Sequence, residues 1–212
     1  MTADIPVTWQ MLGSFVVTCA VIELTPGPNM GYLALLAARS GRRAGLAATA
    51  GIALGLLGLG IAVALGLATL LANSPTAYEI LRWSGVGYLL WLAWEGWRDS
   101  AAASAKQATD LTGHAAYFRR GLITNVLNPK AALFFVGVLP QFVEASRGVI
   151  SQTTFLSIVY VLIASTIHGS IVMLAGAAHR MLERGERMRS IGRGLSVVLG
   201  CIALWLAYAT RR

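Results

Sequence analysis

Charged residues are scarce in this sequence. Only 12% of its 212 residues are Asp, Glu, Lys or Arg, and 56% are hydrophobic, whereas average soluble domains carry about 25% charged residues. The apolar residues form long uninterrupted runs, and the mean hydropathy is +0.66. This composition predicts an all-α integral membrane protein with one compact membrane domain.

Signatures of catalysis and of metal binding are also missing. No Walker A pattern, G-x-S-x-G elbow or H-E-x-x-H pair occurs, so neither ATP drive nor these hydrolytic sites are indicated. Cys19 and Cys201 both lie in apolar runs, as small core residues do, and predict neither a disulfide nor a metal pair. Ser165 and Ser170 flank His168 at spacings that do not form a catalytic dyad on a helix. We therefore predict a protein that is not an enzyme and needs no cofactor or metal.

Six hydrophobic segments are each close to the length of about 20 residues that crosses a bilayer. The N-terminal stretch before the first of them has no Lys or Arg, which predicts an uncleaved first helix rather than a signal peptide. The predicted spans are 9–37, 44–72, 79–98, 119–143, 151–178 and 193–210.

The basic residues are divided unequally between the two sets of loops. The connections after spans 1, 3 and 5 hold 12 of the 17 Lys and Arg, so the positive-inside rule places both termini outside the cytoplasm. The net charge of +8 is then a signal of topology and of attraction to anionic lipid, not of nucleic-acid binding. The 12 residues are Arg39, Arg42, Arg43, Arg98, Lys106, Arg119, Arg120, Arg180, Arg184, Arg187, Arg189 and Arg193.

The longest predicted loop divides the chain into two halves of three spans. Residues 99–118 are mostly small and polar, as in a linker, between a first half at 1–98 and a second at 119–212. Because three spans are an odd number, the second half must enter the membrane from the opposite side. The sequence therefore predicts two inverted three-helix repeats, an architecture that is frequent among transporters.

Helix-breaking residues interrupt the first span of each half. Such matched interruptions are the best sequence indication of a binding site near the midplane, and broken backbone is tolerated there only in protein or beside a wet cavity. The freed N–H and C=O groups suit the carboxylate and ammonium of a zwitterion, although the prolines can also kink both helices for packing alone. The residues concerned are Pro26, Gly27, Pro28, Asn29, Asn128, Pro129 and Lys130.

A few polar residues inside the spans are functional candidates by their position. Glu23 is a candidate for three roles. It carries a coupling proton, it pairs with a substrate ammonium, or it forms a static ion pair with a partner such as Lys130. Lys130 either binds a substrate carboxylate or satisfies carbonyls at a helix end. His168 is either a proton relay or a packing residue, Asn125 lies one turn before the second break, and Glu95 is spaced to pair with Arg98 at a predicted interface.

Four segments resemble the LysE/RhtB family of amino-acid exporters. They are "TPGPNM", "GRRAGLAATAGIALG", "GVGYLLWLAWEGWR" and "NVLNPKAALFFVGVLPQFV", and they follow one another through spans 1–4. The resemblance implies a bacterial inner-membrane exporter of amino acids or close derivatives, of the homoserine, threonine or lysine type or for other neutral amino acids, driven by protons. Its motif positions are Pro26, Gly27, Pro28, Asn128, Pro129 and Lys130, whereas members also carry Asp where this chain has Asn29.

The sequence alone leaves two alternatives to an amino-acid exporter open. A cation exporter of the related superfamily would need more intramembrane carboxylates or thiols than Glu23 and Cys19. An intramembrane hydrolase is the weaker alternative, since its only basis is the group around His168. The predicted partners are a small amino-acid substrate, protons and the lipid bilayer, and the oligomeric state, a homodimer included, is left open.

Overall fold

A computed structural model describes residues 7–66, 74–101, 113–144, 148–181 and 186–209. All regular secondary structure in these ranges is helical. The predictions for the N-terminal residues 1–6, for the central part of the linker at 102–112 and for the C-terminal residues 210–212 lie outside the described residues. So do those for the end of the second predicted span at 67–72, for Lys106 and for Arg184.

The described part of the chain contains seven α-helices. The fifth is short and continues into a π-helical turn at Phe134–Val138 and a 3₁₀ turn at Leu139–Phe142. The helices are α1 (Trp9–Leu24), α2 (Pro28–Ala64), α3 (Pro75–Ala101), α4 (Gly113–Val126), α5 (Pro129–Leu133), α6 (Val149–Met181) and α7 (Glu186–Ala209).

The first predicted break is present between α1 and α2. Helix α1 ends at Leu24, and Thr25 leaves the helix with extended backbone angles while its N–H bonds back to the carbonyls of Val21 and Ile22. Gly27 is also extended, and Pro28 begins α2. Proline is tolerated at this first helical position because its missing N–H would have no helical partner there.

The second predicted break is present between α4 and α5. Helix α4 ends at Val126, and Asn128 caps α5 by accepting a hydrogen bond from the Lys130 N–H at 3.0 Å. Pro129 takes the first helical position, as Pro28 does in α2. The helical segments on the two sides of this break are bent by 49°.

The connection between predicted spans 1 and 2 is shorter than the loop that the two predicted spans leave between them. Residues 28–64 are helical except at Gly41, whose φ of 80° and ψ of 177° interrupt the helix. This region of backbone space is open almost only to glycine. Arg39 and Arg42 therefore lie on helical turns on either side of a one-residue kink, not in a loop.

Helix α2 is the centre of the packing. It lies mainly against α4 and α6, and α3 packs mainly against α7. Two glycines allow α2 and α4 to approach closely, because a side chain at Gly51 would collide with the Phe118 carbonyl and one at Gly121 with the Ala48 carbonyl. Small residues at a helix interface permit such close packing of the two backbones.

Two described helices, Pro28–Ala64 and Val149–Ala177, are long and apolar enough to cross a membrane. The bent pair Gly113–Val126 and Pro129–Phe142 provides a third candidate, and Trp9–Leu24 and Arg193–Trp205 are shorter apolar helices. The all-helical, membrane-type architecture is therefore confirmed, while six spans in inverted repeats remain a prediction.

Candidate functional site

The two helix breaks lie against each other. The Lys130 ammonium Nζ donates a hydrogen bond to the Thr25 carbonyl, at 2.7 Å, and so closes the C-terminal end of α1. Asn29 Nδ2 donates to Asn125 Oδ1 at 3.0 Å in a buried bond between α2 and α4. Residues about 100 positions apart in the sequence are thus brought together at one place in the fold.

Glu23, in the last turn of α1, is buried beside this junction. Its Oε1 accepts a hydrogen bond of 2.5 Å from the Tyr160 hydroxyl, and its Oε2 lies 3.2 Å from His168 Nε2. Neither ring nitrogen of His168 meets the full geometry of a hydrogen bond with a partner among the described residues. The contact between Glu23 and His168 is an ion pair only when the ring is protonated.

Glu23 and Lys130 do not form with each other the static ion pair that was one of the alternatives from the sequence. Lys130 binds a carbonyl at the end of α1, as one of the two sequence hypotheses required. Glu23 makes its closest contacts with Tyr160 and His168 of α6 instead. The Glu23 carboxylate and the Lys130 ammonium are electrostatic neighbours, but no direct salt bridge joins them in the described part of the chain.

Tyr160 is a site residue that sequence reasoning missed. Its ring stacks on Phe134, with centroids 3.8 Å apart, and meets Phe135 edge-on at 5.5 Å. These aromatic contacts hold the hydroxyl towards Glu23. The sequence feature that could have identified Tyr160 is its position eight residues before His168, which places both residues on the same face of a helix.

A small cavity lies between the breaks. Its volume is about 10 Å³, which holds about one water molecule and is far too small for an amino acid. Asn29 Oδ1 and the His168 nitrogens are buried there without hydrogen-bond partners in the described part of the chain. The lining consists of Glu23, Gly27, Pro28, Asn29, Met30, Asn128, Lys130, Ala131, Tyr160 and His168.

Three predicted site residues lie outside this lining. Pro26 is exposed and shapes the first break only through its backbone. Asn125 is fully buried and packs against Gly55 while it bonds Asn29. Pro129 is buried as the first residue of α5.

No metal centre is visible in the described ranges. No group of three or more His, Cys, Asp or Glu side chains there is close enough to hold a metal ion. Cys19 is buried and Cys201 is exposed, and each is a free thiol.

Fold and site define a helical membrane-type protein in which two interrupted helices meet at a buried polar cluster. The chain belongs to the LysE type translocator family, whose model matches residues 20–210. It is 25% identical to a homoserine/homoserine lactone efflux protein of Salmonella typhimurium, over 95% of this chain and 98% of that protein. It is 29% identical to a leucine efflux protein of an Enterobacter species, over 86% of this chain and 87% of that protein.

A further relative has no assigned activity. An uncharacterised membrane protein of Escherichia coli is 32% identical, over 93% of this chain and 87% of that protein. No solved structure matches the chain. The resemblance found in the sequence is thus confirmed at the level of the family.

Proposed function

We propose that the protein exports amino acids or their close derivatives across the bacterial inner membrane, in exchange for protons. As a LysE type translocator it is a transporter rather than an enzyme. The observation that carries the proposal is the contact between the two helix breaks beside a buried carboxylate and imidazole and a half-buried ammonium. Ionisable groups are expensive to bury in a membrane and are therefore functional candidates.

The architecture we propose is six spans in two inverted repeats, at 1–98 and 119–212, joined by the linker at 99–118. Both termini then lie outside the cytoplasm. Contacts at one end of the bundle support this orientation. Arg42 donates to the Met173 carbonyl near the end of α6, a side chain at Gly96 would lie 3.0 Å from Arg39, and Arg193 lies over the Trp97 ring.

Substrate recognition follows from the groups that the breaks set free. The Lys130 ammonium binds the Thr25 carbonyl in the present closed arrangement. A substrate carboxylate that draws Lys130 away exposes this carbonyl to the substrate's own ammonium. One movement therefore provides both halves of a site for a zwitterion, with Asn29 Oδ1 as a further unpaired acceptor.

Proton coupling follows from competition at Glu23. The carboxylate binds either a proton or the substrate ammonium, and not both with full strength. A proton that arrives from outside displaces the ammonium and weakens the contact with His168. Release to the outside and proton uptake are thereby linked at one residue.

Alternating access follows from the size of the cavity. Since about one water molecule fills it, the two halves must move apart before an amino acid binds. We propose that they rock about the breaks and open the site to one side at a time.

The test is efflux of a mixed amino-acid pool from cells or everted vesicles. Wild type should move a small set of amino acids in a proton-dependent way, and Lys130→Ala should lower this movement roughly 10- to 100-fold. Glu79→Gln is the matched control, because Glu79 forms an ion pair with Arg82 near the N-terminal end of α3 and neither residue lines the cavity between the breaks. No amino-acid movement by well-inserted wild type would refute the proposal.

A further inference from the structure

A second polar cluster lies away from the candidate site, where α3 meets α4. Arg120 Nη1 and Nη2 donate to the two carboxylate oxygens of Glu95, at 2.8 and 3.0 Å. Arg120 also lies over the Trp91 ring. The sequence had suggested Arg98 as the partner of Glu95, but this bidentate pair joins residues of the two halves of the chain. It is the strongest polar contact described between two helices that otherwise touch sparsely.

Polar groups lead from this pair to the helix breaks. Tyr32 lies three residues after Asn29 in α2, and its hydroxyl is buried with no hydrogen-bond partner among the described residues. The Tyr32 hydroxyl lies near the side chains of Glu95, Arg120 and Tyr88. On α4, the buried Thr124 hydroxyl donates to the Arg120 carbonyl, next to Asn125. The pair is therefore one to two helical turns from the Asn29–Asn125 contact.

The location of the pair along the bundle matches the start of an export path. Glu95 is adjacent to Gly96, which approaches Arg39 beside the kink at Gly41. In the proposed orientation this end faces the cytoplasm, the side from which an exporter takes its substrate. This step rests on the proposed function.

We infer that the Glu95–Arg120 pair is the cytoplasmic gate of the transport site and the first binding subsite for a zwitterionic amino acid. Separating two partly buried opposite charges is unfavourable unless each finds a new partner. A zwitterion supplies both, since its carboxylate fits the Arg120 fork and its ammonium fits Glu95. A solute with one charge satisfies only one side. The unpaired Tyr32 hydroxyl is the next polar group towards the breaks.

The gate is tested by labelling a cysteine behind it. The reporter is Thr124→Cys in a Cys201→Ser background, since Thr124 is buried and Cys201 is the exposed native thiol. A membrane-impermeant maleimide is added to the cytoplasmic face of everted vesicles. Glu95→Gln should raise the labelling rate about tenfold or more, because loss of the pair shifts a two-state gate towards its open form. Glu79→Gln, which disrupts the Glu79–Arg82 ion pair at the other end of α3, should leave the labelling rate unchanged.

Two further variants separate the pair from the individual side chains. Arg120→Gln should act as Glu95→Gln does, and it provides the test if one of the two fails to insert. The double exchange Glu95→Arg with Arg120→Glu should return labelling towards the wild-type rate. Unchanged labelling in inserted Glu95→Gln, or equal labelling in the Glu79→Gln control, would overturn the gate.

The ligand class is tested with the same reporter. L-leucine and L-homoserine are the probes, with 3-methylbutylamine and 4-methylpentanoate as analogues of leucine that lack one charge. At least one amino acid should speed labelling while both single-charge analogues have no effect. No increase with either amino acid, or an equal increase with the analogues, would overturn the zwitterion subsite. Labelling does not require transport, so absent efflux with an intact labelling pattern would refute the proposed function and leave the gate standing.

Discussion

The two helix breaks are built alike but stabilised differently. Both place proline at the first residue of the second helix. The second break is stabilised locally, since the Asn128 side chain accepts from the Lys130 N–H two residues later. The first has no side-chain cap at Gly27, and the carbonyl of Thr25 at the end of α1 is bonded by Lys130 from the second.

This difference indicates that the second break is a fixed element and the first a dependent one. Asn128 keeps its bond whatever the rest of the chain does, because the bond spans two residues. The Thr25–Lys130 bond exists only while the two breaks are in contact. We therefore expect substitutions near the first break to alter transport more than stability, and substitutions of the local cap to do the reverse.

The largest effect is expected at Glu23, directly before the dependent break. Glu23→Gln keeps the shape and an acceptor for Tyr160 but cannot exchange a proton, and proton-transferring groups contribute about 100-fold or more. Proton-driven efflux should fall at least by that factor. Exchange of labelled for unlabelled substrate without a proton gradient should fall less than efflux, because the Thr25 carbonyl still accepts the substrate ammonium.

The two assays together show which role Glu23 has. Equal loss of efflux and exchange would mean that Glu23 is a structural residue or binds substrate alone. Tyr160→Phe is the companion variant, since it removes only the hydrogen bond to Oε1.

The next effect is expected at Lys130, which joins the two breaks. Lys130→Ala removes a charged hydrogen bond, a contact of about 1.5–3 kcal/mol, so efflux should fall roughly 10- to 100-fold. Lys130→Met is the matched control for side-chain length and should behave as Ala does. Normal efflux in both variants would exclude Lys130 from the site.

A smaller and different effect is expected at Asn128. Asn128→Ala removes the N-cap of α5, which should destabilise the protein by about 1 kcal/mol and lower its thermal midpoint by a few degrees in detergent. Asn128→Asp keeps the acceptor and should retain most of the stability. A transport loss in the Ala variant as large as that of Lys130→Ala, with unchanged stability, would contradict a mainly capping role.

The smallest effect is expected at Gly27. An added Cβ would lie 3.1 Å from Lys130 Cδ, a contact that a flexible side chain relieves by a small shift. Gly27 has extended backbone angles that alanine also adopts. Gly27→Ala should therefore change efflux by about threefold or less, measured as initial rate against substrate concentration. A complete loss of efflux would show that the break approaches substrate too closely for any side chain.

Local features of the fold were open to prediction from the sequence. Pro28 and Pro129 each end a possible continuous helix through missing N–H groups and steric conflict, so both breaks could be placed. The kink at Gly41 was not placed, because a glycine in an apolar helix is compatible with several conformations. The kink at Gly41 depends on the packing of α2 against α6 and α4.

By itself the sequence determined the membrane class, the family resemblance and the two breaks, because each follows from composition or from residues within one helical turn. The tertiary structure alone decided which groups meet. Tyr160 and Glu23 are 137 residues apart in the chain, Lys130 and Thr25 are 105 apart, and Arg120 and Glu95 are 25 apart. Such pairings are set by which helix faces pack together, and polar partners inside an apolar bundle have no periodic pattern from which that choice can be read.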